Sequence, residues 1–280
     1  MINIYYKLIR AVIAILPVGK YRVSRMLFNS NWKFLRTYSV EVPYLEENLN
    51  LRIKLEPRYL IDHKILFTGT YEKSTNDVLR KYVKSGDTVF EAGANIGTET
   101  ILLSRLVSDS GSVFAFEPVP HVSEKLNHNC RINGLNNINI SNLALSDSIG
   151  ETTFFIASEN FINQGMGSLD GGHLQVKEKI KVQLDTLDHY FEENGITKLD
   201  FLKMDVQGAE YFILKGGRKT LTKFKPVIFL EAEEGWSKIS DLYTILTELN
   251  YACFLIHDNL ELDELNDNEV NSGNWIALPK

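Results

Sequence analysis

Ten residues, Thr88 to Gly97 (TVFEAGANIG), constrain the fold of this chain more than any other stretch. Thr88-Val89-Phe90 is β-branched and aromatic, the composition of a buried strand. The run ends in an acid, Glu91, followed by a turn with glycines at Gly93 and Gly97. From Thr100 to Val107 the pattern is that of an apolar helix. Strand, glycine turn and helix start together form a cradle: glycines let the backbone approach a ligand, and the free helix N–H groups point at it. A second strand, Ser112 to Phe116, ends in Glu117, 24 residues after Gly93. That is close to the offset at which a βαβ unit sets an acid on a ribose diol.

The residues of the turn choose between two cofactor classes. A dinucleotide site reads G-x-G-x-x-G, with a middle glycine that makes room for pyrophosphate. Here that position is Asn95, and the spacing is Gly93-x-x-x-Gly97. Glu91 would repel a pyrophosphate but suits a ligand carrying an ammonium group, such as the methionine end of S-adenosylmethionine. The turn therefore favours the methyl donor over a nicotinamide or flavin nucleotide.

At 280 residues and 44% hydrophobic content, the chain is large enough for one sizeable domain plus an extension. We divide it at residues 1–59, a helical extension with short strands, and 60–280, the α/β domain. Two cysteines, Cys130 and Cys253, offer neither a disulfide framework nor metal-ligand spacing, which favours a reducing, cytoplasmic compartment and predicts no metal. A net charge of −6 argues against nucleic-acid binding. That charge is uneven. The first 40 residues hold seven Lys or Arg and no acid, so with +7 there and −6 overall the rest carries −13. Tyr5, Leu8, Ile9, Val12, Ile13 and Leu16 recur at helical spacing. The apolar run is too short to span a bilayer. Two readings stay open for residues 1–37: a helix packing on the domain or a partner, or a basic amphipathic segment making peripheral contact with an anionic membrane.

Alternation over residues 38–57 predicts a hairpin or edge strands. A helix follows Gly69-Thr70-Tyr71-Glu72, with Ser74 as its expected N-cap. Glu72 either closes that helix end or faces the amino-acid end of the donor. After Glu117-Pro118 come a helix over 120–132 and a third strand from Ile138 to Leu145, at whose exit Leu143 or Ala144 would wall a purine. Thr152–Ala157 and Lys179–Leu184 read as antiparallel strands, joined by a polar, glycine-rich stretch from Asn160 to His173 that we assign to the substrate side. Asp185 is the expected cap of the next helix. Leu199 to Met204 forms a fourth strand that delivers Asp205 beside the first strand, at the topological switch point. Lys225 to Glu231 is a fifth.

Taken in order, these motifs resemble the FkbM-type S-adenosylmethionine-dependent methyltransferases. The matching residues are Gly69-Thr70-Tyr71-Glu72, Glu91 to Gly97, Phe114 to Pro118, Asn142 to Asp147, Thr186-Leu187-Asp188, Asp200 to Glu210, and Lys225-Pro226 with Glu231. The resemblance implies an α/β class I methyltransferase (Rossmann-like) fold, a seven-stranded, mainly parallel sheet with helices on both faces, closed by an antiparallel strand at Asn274 to Leu278. It implies S-adenosyl-L-methionine as cofactor, held by Glu72, Glu91, Gly93, Ala94, Asn95, Gly97, Glu117, Pro118, Asn142, Leu143 and Ala144. It further implies O-methylation of a small-molecule or glycan acceptor, a sugar, glycoconjugate or polyketide hydroxyl. Asp205 is the expected base, with Glu210 or His257 in reserve. One residue departs from the family pattern: Gln207 stands where a glutamate is usual, and an amide cannot serve as a base. Two alternatives follow, a non-catalytic S-adenosylmethionine-binding protein or a nucleotide-dependent oxidoreductase.

Overall fold

The structure, a computed structural model, describes residues 39–44, 50–157, 167–168, 176–233, 239–266 and 270–280. The basic segment 1–37 and most of the stretch 160–173 lie outside the described residues.

Among the described residues, eight strands form the main sheet. β3 (Thr88–Ala92), β4 (Ser112–Phe116), β5 (Ile138–Ser141), β10 (Phe201–Met204) and β11 (Val227–Ala232) run parallel; β12 (Tyr251–Ile256), β13 (Leu262–Glu264) and β14 (Gly273–Pro279) complete it. The order is β13-β12-β14-β11-β10-β3-β4-β5, with β14 antiparallel to both its neighbours. This is the seven-strand class I arrangement, in which β14 is the expected closing strand. β13 adds an eighth strand at the edge, made by a hairpin from β12. Nothing in the sequence signals it, because three residues with one partly buried side chain carry no period.

Side-chain alternation sorts the helices onto two faces. Val89, Val113, Phe201, Phe229 and Ile276 pack under α2 (Lys73–Tyr82) and α3 (Thr98–Val107), and Ala115 under α4 (Pro120–Ile132). Phe90, Leu202, Met204, Leu230 and Trp275 face α5 (Leu187–Glu193), α6 (Glu210–Gly216), α7 (Arg218–Phe224) and α8 (Ile239–Glu248).

A cap covers one flank. It comprises the antiparallel hairpin β1 (Val40–Tyr44) and β2 (Leu51–Leu55), helix α1 (Leu60–Thr68), and a second sheet of order β6-β9-β7-β8, built from β6 (Leu143–Ser146), β7 (Gly150–Ala157), β8 (Gly167–Ser168) and β9 (Val176–Thr186). Val42, Ile53, Ile65, Phe154 and Val182 share its core with Ile96 and Val122 of the α/β domain. Helix α1 was not foreseen.

Three local expectations are corrected. The third strand does not run through to Leu145: it stops at Ser141, and after Asn142 the chain turns into β6, which pairs in parallel with β9. The α2 cap is Glu72 in a left-handed conformation, φ 41°, so the helix starts one residue before Ser74. The cap of α5 is Thr186, whose hydroxyl oxygen accepts from the His189 N–H at 3.1 Å; Asp185 instead accepts from the Thr186 N–H at 2.7 Å.

Candidate active site

The carboxyl ends of β3, β4 and β10 open into one cavity, roofed by the cap. Ala92, Gly93, Asn95 and Ile96 line it from the first turn, Thr98 and Glu99 from the start of α3, and Phe116, Glu117 and Pro118 from the exit of β4. Leu143, Ala144 and Leu145 form an apolar wall from β6. Asp205, Val206, Gln207 and Ala209 enter from the turn after β10, Ile61 and Phe154 from the cap, and Tyr71 from the turn between α1 and α2.

The floor is shaped by one close approach. A Cβ on Gly93, where φ is 82°, would fall 2.0 Å from the Asp205 carbonyl oxygen. Only glycine fits, so the turns after β3 and β10 meet without an intervening side chain.

At one end of the cavity, Glu117 is 4% exposed. Its Oε2 accepts from the Asn95 N–H at 3.0 Å and its Oε1 from the Val119 N–H at 2.9 Å, which fixes the carboxylate against the first turn. Burial pushes its pKa up to about 7, and those two N–H bonds oppose the shift. At the other end lies Asp205, with a side chain 30% exposed.

Beneath the floor is an ion pair. Lys203 and Glu91 are register partners on β10 and β3, pointing into the face covered by α3. Lys203 Nζ lies 3.8 Å from both Glu91 Oε1 and Asp205 Oδ2. Burial alone would lower the lysine pKa; the carboxylates of Asp205, Glu99, Glu91 and Glu72 more than reverse this, so the ammonium is held charged. Glu91 is fully buried, and its Oε2 accepts from the Thr100 hydroxyl at 2.5 Å. Burial raises its pKa to about 7, opposed first by Lys203.

Of the residues expected to hold a cofactor, Gly93, Asn95, Glu117, Pro118, Leu143 and Ala144 line the cavity, as does Asp205. Glu72, Glu91, Ala94, Gly97 and Asn142 are not among the lining residues. Asn142 marks the break between β5 and β6, its Oδ1 accepting from the Ser123 hydroxyl at 3.2 Å. Glu210 is not among them either: its Oε1 accepts from the Val206 N–H at 3.1 Å and its Oε2 from the Gly208 N–H at 3.0 Å, an arrangement that shapes the turn carrying Asp205. His257 sits at the far edge of the sheet, 2.7 Å from Asp263. Sequence reasoning missed Glu99, Lys203, Tyr71 and Phe154. A lysine inside the apolar run FLKM was a usable signal for Lys203, since an inward-facing lysine needs an acid beside it.

The cavity fits S-adenosylmethionine by three local observations. It has an apolar wall for a purine, a buried carboxylate at the turn for a diol, and a glycine floor that a Cβ would fill.

The Methyltransferase FkbM domain matches residues 91–253, more than half of the chain. Methyltransferase sdnD of Sordaria araneosa is 28% identical over 189 residues, covering 58% of this chain and 70% of that protein. The 2-O-methyltransferase NoeI of Sinorhizobium fredii is 28% identical over 152 residues, 50% of this chain and 61% of its own length. The hexuronic acid methyltransferase AglP of Haloferax volcanii is 26% identical over 200 residues, 71% of this chain and 78% of its own. With the strand order and the cavity, the match is decisive: the chain belongs to the FkbM methyltransferase family, enzymes of class I fold that use S-adenosylmethionine.

Proposed function

We propose that this enzyme transfers a methyl group to a hydroxyl oxygen of a sugar, glycoconjugate or polyketide-like small molecule. The observation that carries this reading is Asp205, the ionisable side chain that the turn after β10 contributes to the cavity lining, across β3 from Glu117. The similarity to proteins named as a 2-O-methyltransferase and a hexuronic acid methyltransferase supports an oxygen acceptor on a carbohydrate.

S-adenosylmethionine, when bound, supplies an already activated methyl group, so the protein's work is alignment, exclusion of water and removal of one proton. Glu117 would accept the ribose hydroxyls, and Leu143 and Ala144 would cover the adenine. Ile61, Tyr71 and Phe154 close the roof against solvent. Asp205 would take the proton of the acceptor hydroxyl. Lys203, 3.8 Å behind it, holds the carboxylate in place. Gln207 lines the cavity without contributing a base, so on this turn that role falls to Asp205. Incubation with labelled S-adenosylmethionine and a panel of glycosides, lipid-linked glycans and polyketide alcohols tests the reading. Transfer to an amine or a carbon centre in place of a hydroxyl would sink it.

We place the enzyme in the cytoplasm, with residues 1–37 as a contact to an anionic membrane surface. The seven basic residues without an acid support this. Among the described residues, no helix is long and apolar enough to cross a membrane.

A further inference from the structure

We propose that Glu99 binds the ammonium group at the amino-acid end of the donor. This rests on the reading of the cavity as the S-adenosylmethionine site and assigns a residue that the family motifs did not single out.

Glu99 is the second residue of α3, directly after the glycine turn. An acid in a first helical turn is ordinary, because it complements the helix dipole, but such acids normally sit in water. This one is 4% exposed and lines the cavity. Its Oε2 accepts from the Thr98 hydroxyl, while its Oε1 is buried with no hydrogen-bond partner among the described residues. A buried carboxylate oxygen left so is costly, and a cationic donor in the cavity removes that cost.

The surrounding charges point to the same ligand. The charges of Asp205, Glu99, Glu91 and Glu72 all bear on Lys203. Lys203 is within ion-pair distance of Glu91 and Asp205, and among the described residues no lysine, arginine or histidine pairs with Glu99. A cation bound in the cavity would supply the positive charge that the described residues of this corner lack. With the ribose at Glu117, the other end of the donor runs past Gly93 towards Glu99 and Asp205. An α-ammonium there would donate a charge-assisted bond to Oε1.

Calorimetric titration of the full chain tests this with two probes. S-adenosylhomocysteine carries the amino-acid end, and 5′-methylthioadenosine lacks it. Glu99→Gln should lower the affinity for S-adenosylhomocysteine at least about tenfold, the loss of one charge-assisted bond, and leave that for methylthioadenosine unchanged. In the wild type, deaminated S-adenosylhomocysteine should show the same loss, and Glu99→Gln should add nothing to it. Equal affinities in wild type and variant overturn the assignment, as does an equal fall for both probes. An unchanged donor affinity with a raised KM for the acceptor also overturns it and moves the ammonium to the acceptor. Failure of the wild type to bind either probe would overturn the donor cavity itself.

Discussion

Gly93 and Asp205 meet through their backbones, so closely that the Asp205 carbonyl occupies the place a side chain on Gly93 would need. The turn after β3 and the turn after β10 are therefore one mechanical unit. Gly93→Ala adds a methyl group 2.0 Å from that oxygen at a φ of 82°. We expect a loss of at least about 1–3 kcal/mol of stability from backbone strain alone, and donor binding too weak to measure. Chemical denaturation together with calorimetry checks both; a variant of wild-type stability would show that the turns can part freely.

Glu117→Ala removes the acceptor of two backbone N–H groups as well as the proposed partner of the ribose. Binding of S-adenosylhomocysteine should weaken at least about tenfold, as for a lost charge-assisted pair. Leaving the Asn95 and Val119 donors unpaired should also cost about 1–3 kcal/mol each. Titration well below the melting temperature separates the two effects. Unchanged affinity would remove Glu117 from the donor site.

Asp205→Asn keeps the shape and loses the proposed base. Turnover should fall by roughly 10²–10⁴, the usual range for loss of a general base, with donor affinity little altered. A collapse of donor affinity instead would make Asp205 a cofactor residue.

The unliganded protein should lose stability as pH rises from about 5 to about 8. Glu91 and Glu117 are both raised to about 7 by burial, above the usual carboxylate value. A raised carboxyl favours its protonated form in the folded chain, so its contribution is present at low pH and disappears as pH passes through the folded value. Each tenfold gain in proton affinity on folding is worth about 1.4 kcal/mol, so the loss is on the order of a few kcal/mol. Urea unfolding at several pH values would show it. A rise in stability across this window would contradict the burial of these groups.

Salt-sensitive binding of the full chain to anionic vesicles should vanish when residues 1–37 are removed, at about 1 kcal/mol per basic residue near the surface. Co-sedimentation at low and high salt decides it. Equal pelleting of both chains would exclude the contact.

Much of this was legible in the sequence because it is local. The β3 run, the glycine turn and Glu117 follow from composition and spacing, and Asp205 from a strand end. What escaped depended on partners distant in sequence. Lys203 and Glu91 are 112 residues apart and become neighbours only through the register of β10 on β3. Glu99 drew no reading from the sequence, because an acid in the first turn of a helix is ordinary and its burial at the cavity shows only in the fold. The third strand read as continuous because the apolar pattern runs on past Asn142, and only β9 reveals that Leu143 to Ser146 belong to another sheet. Glu210 was placed among the catalytic residues by its motif, yet its carboxylate closes the turn on the Val206 and Gly208 amides.

The departure of the chain into a second sheet at Asn142 has a thermodynamic consequence. Leu143 packs with the core of the main sheet and Ala144 with the core of the cap, so the wall between them is a seam joining two hydrophobic bodies. A molecule seated against that wall touches both, and its binding energy is returned only while both remain assembled. Adding S-adenosylhomocysteine should thus raise and sharpen the melting transition together, by an amount that grows as the logarithm of its concentration over Kd. Amide exchange in β7 and β9 should slow in step with that in β3 and β10, so that the cofactor sets how far the two sheets unfold as one.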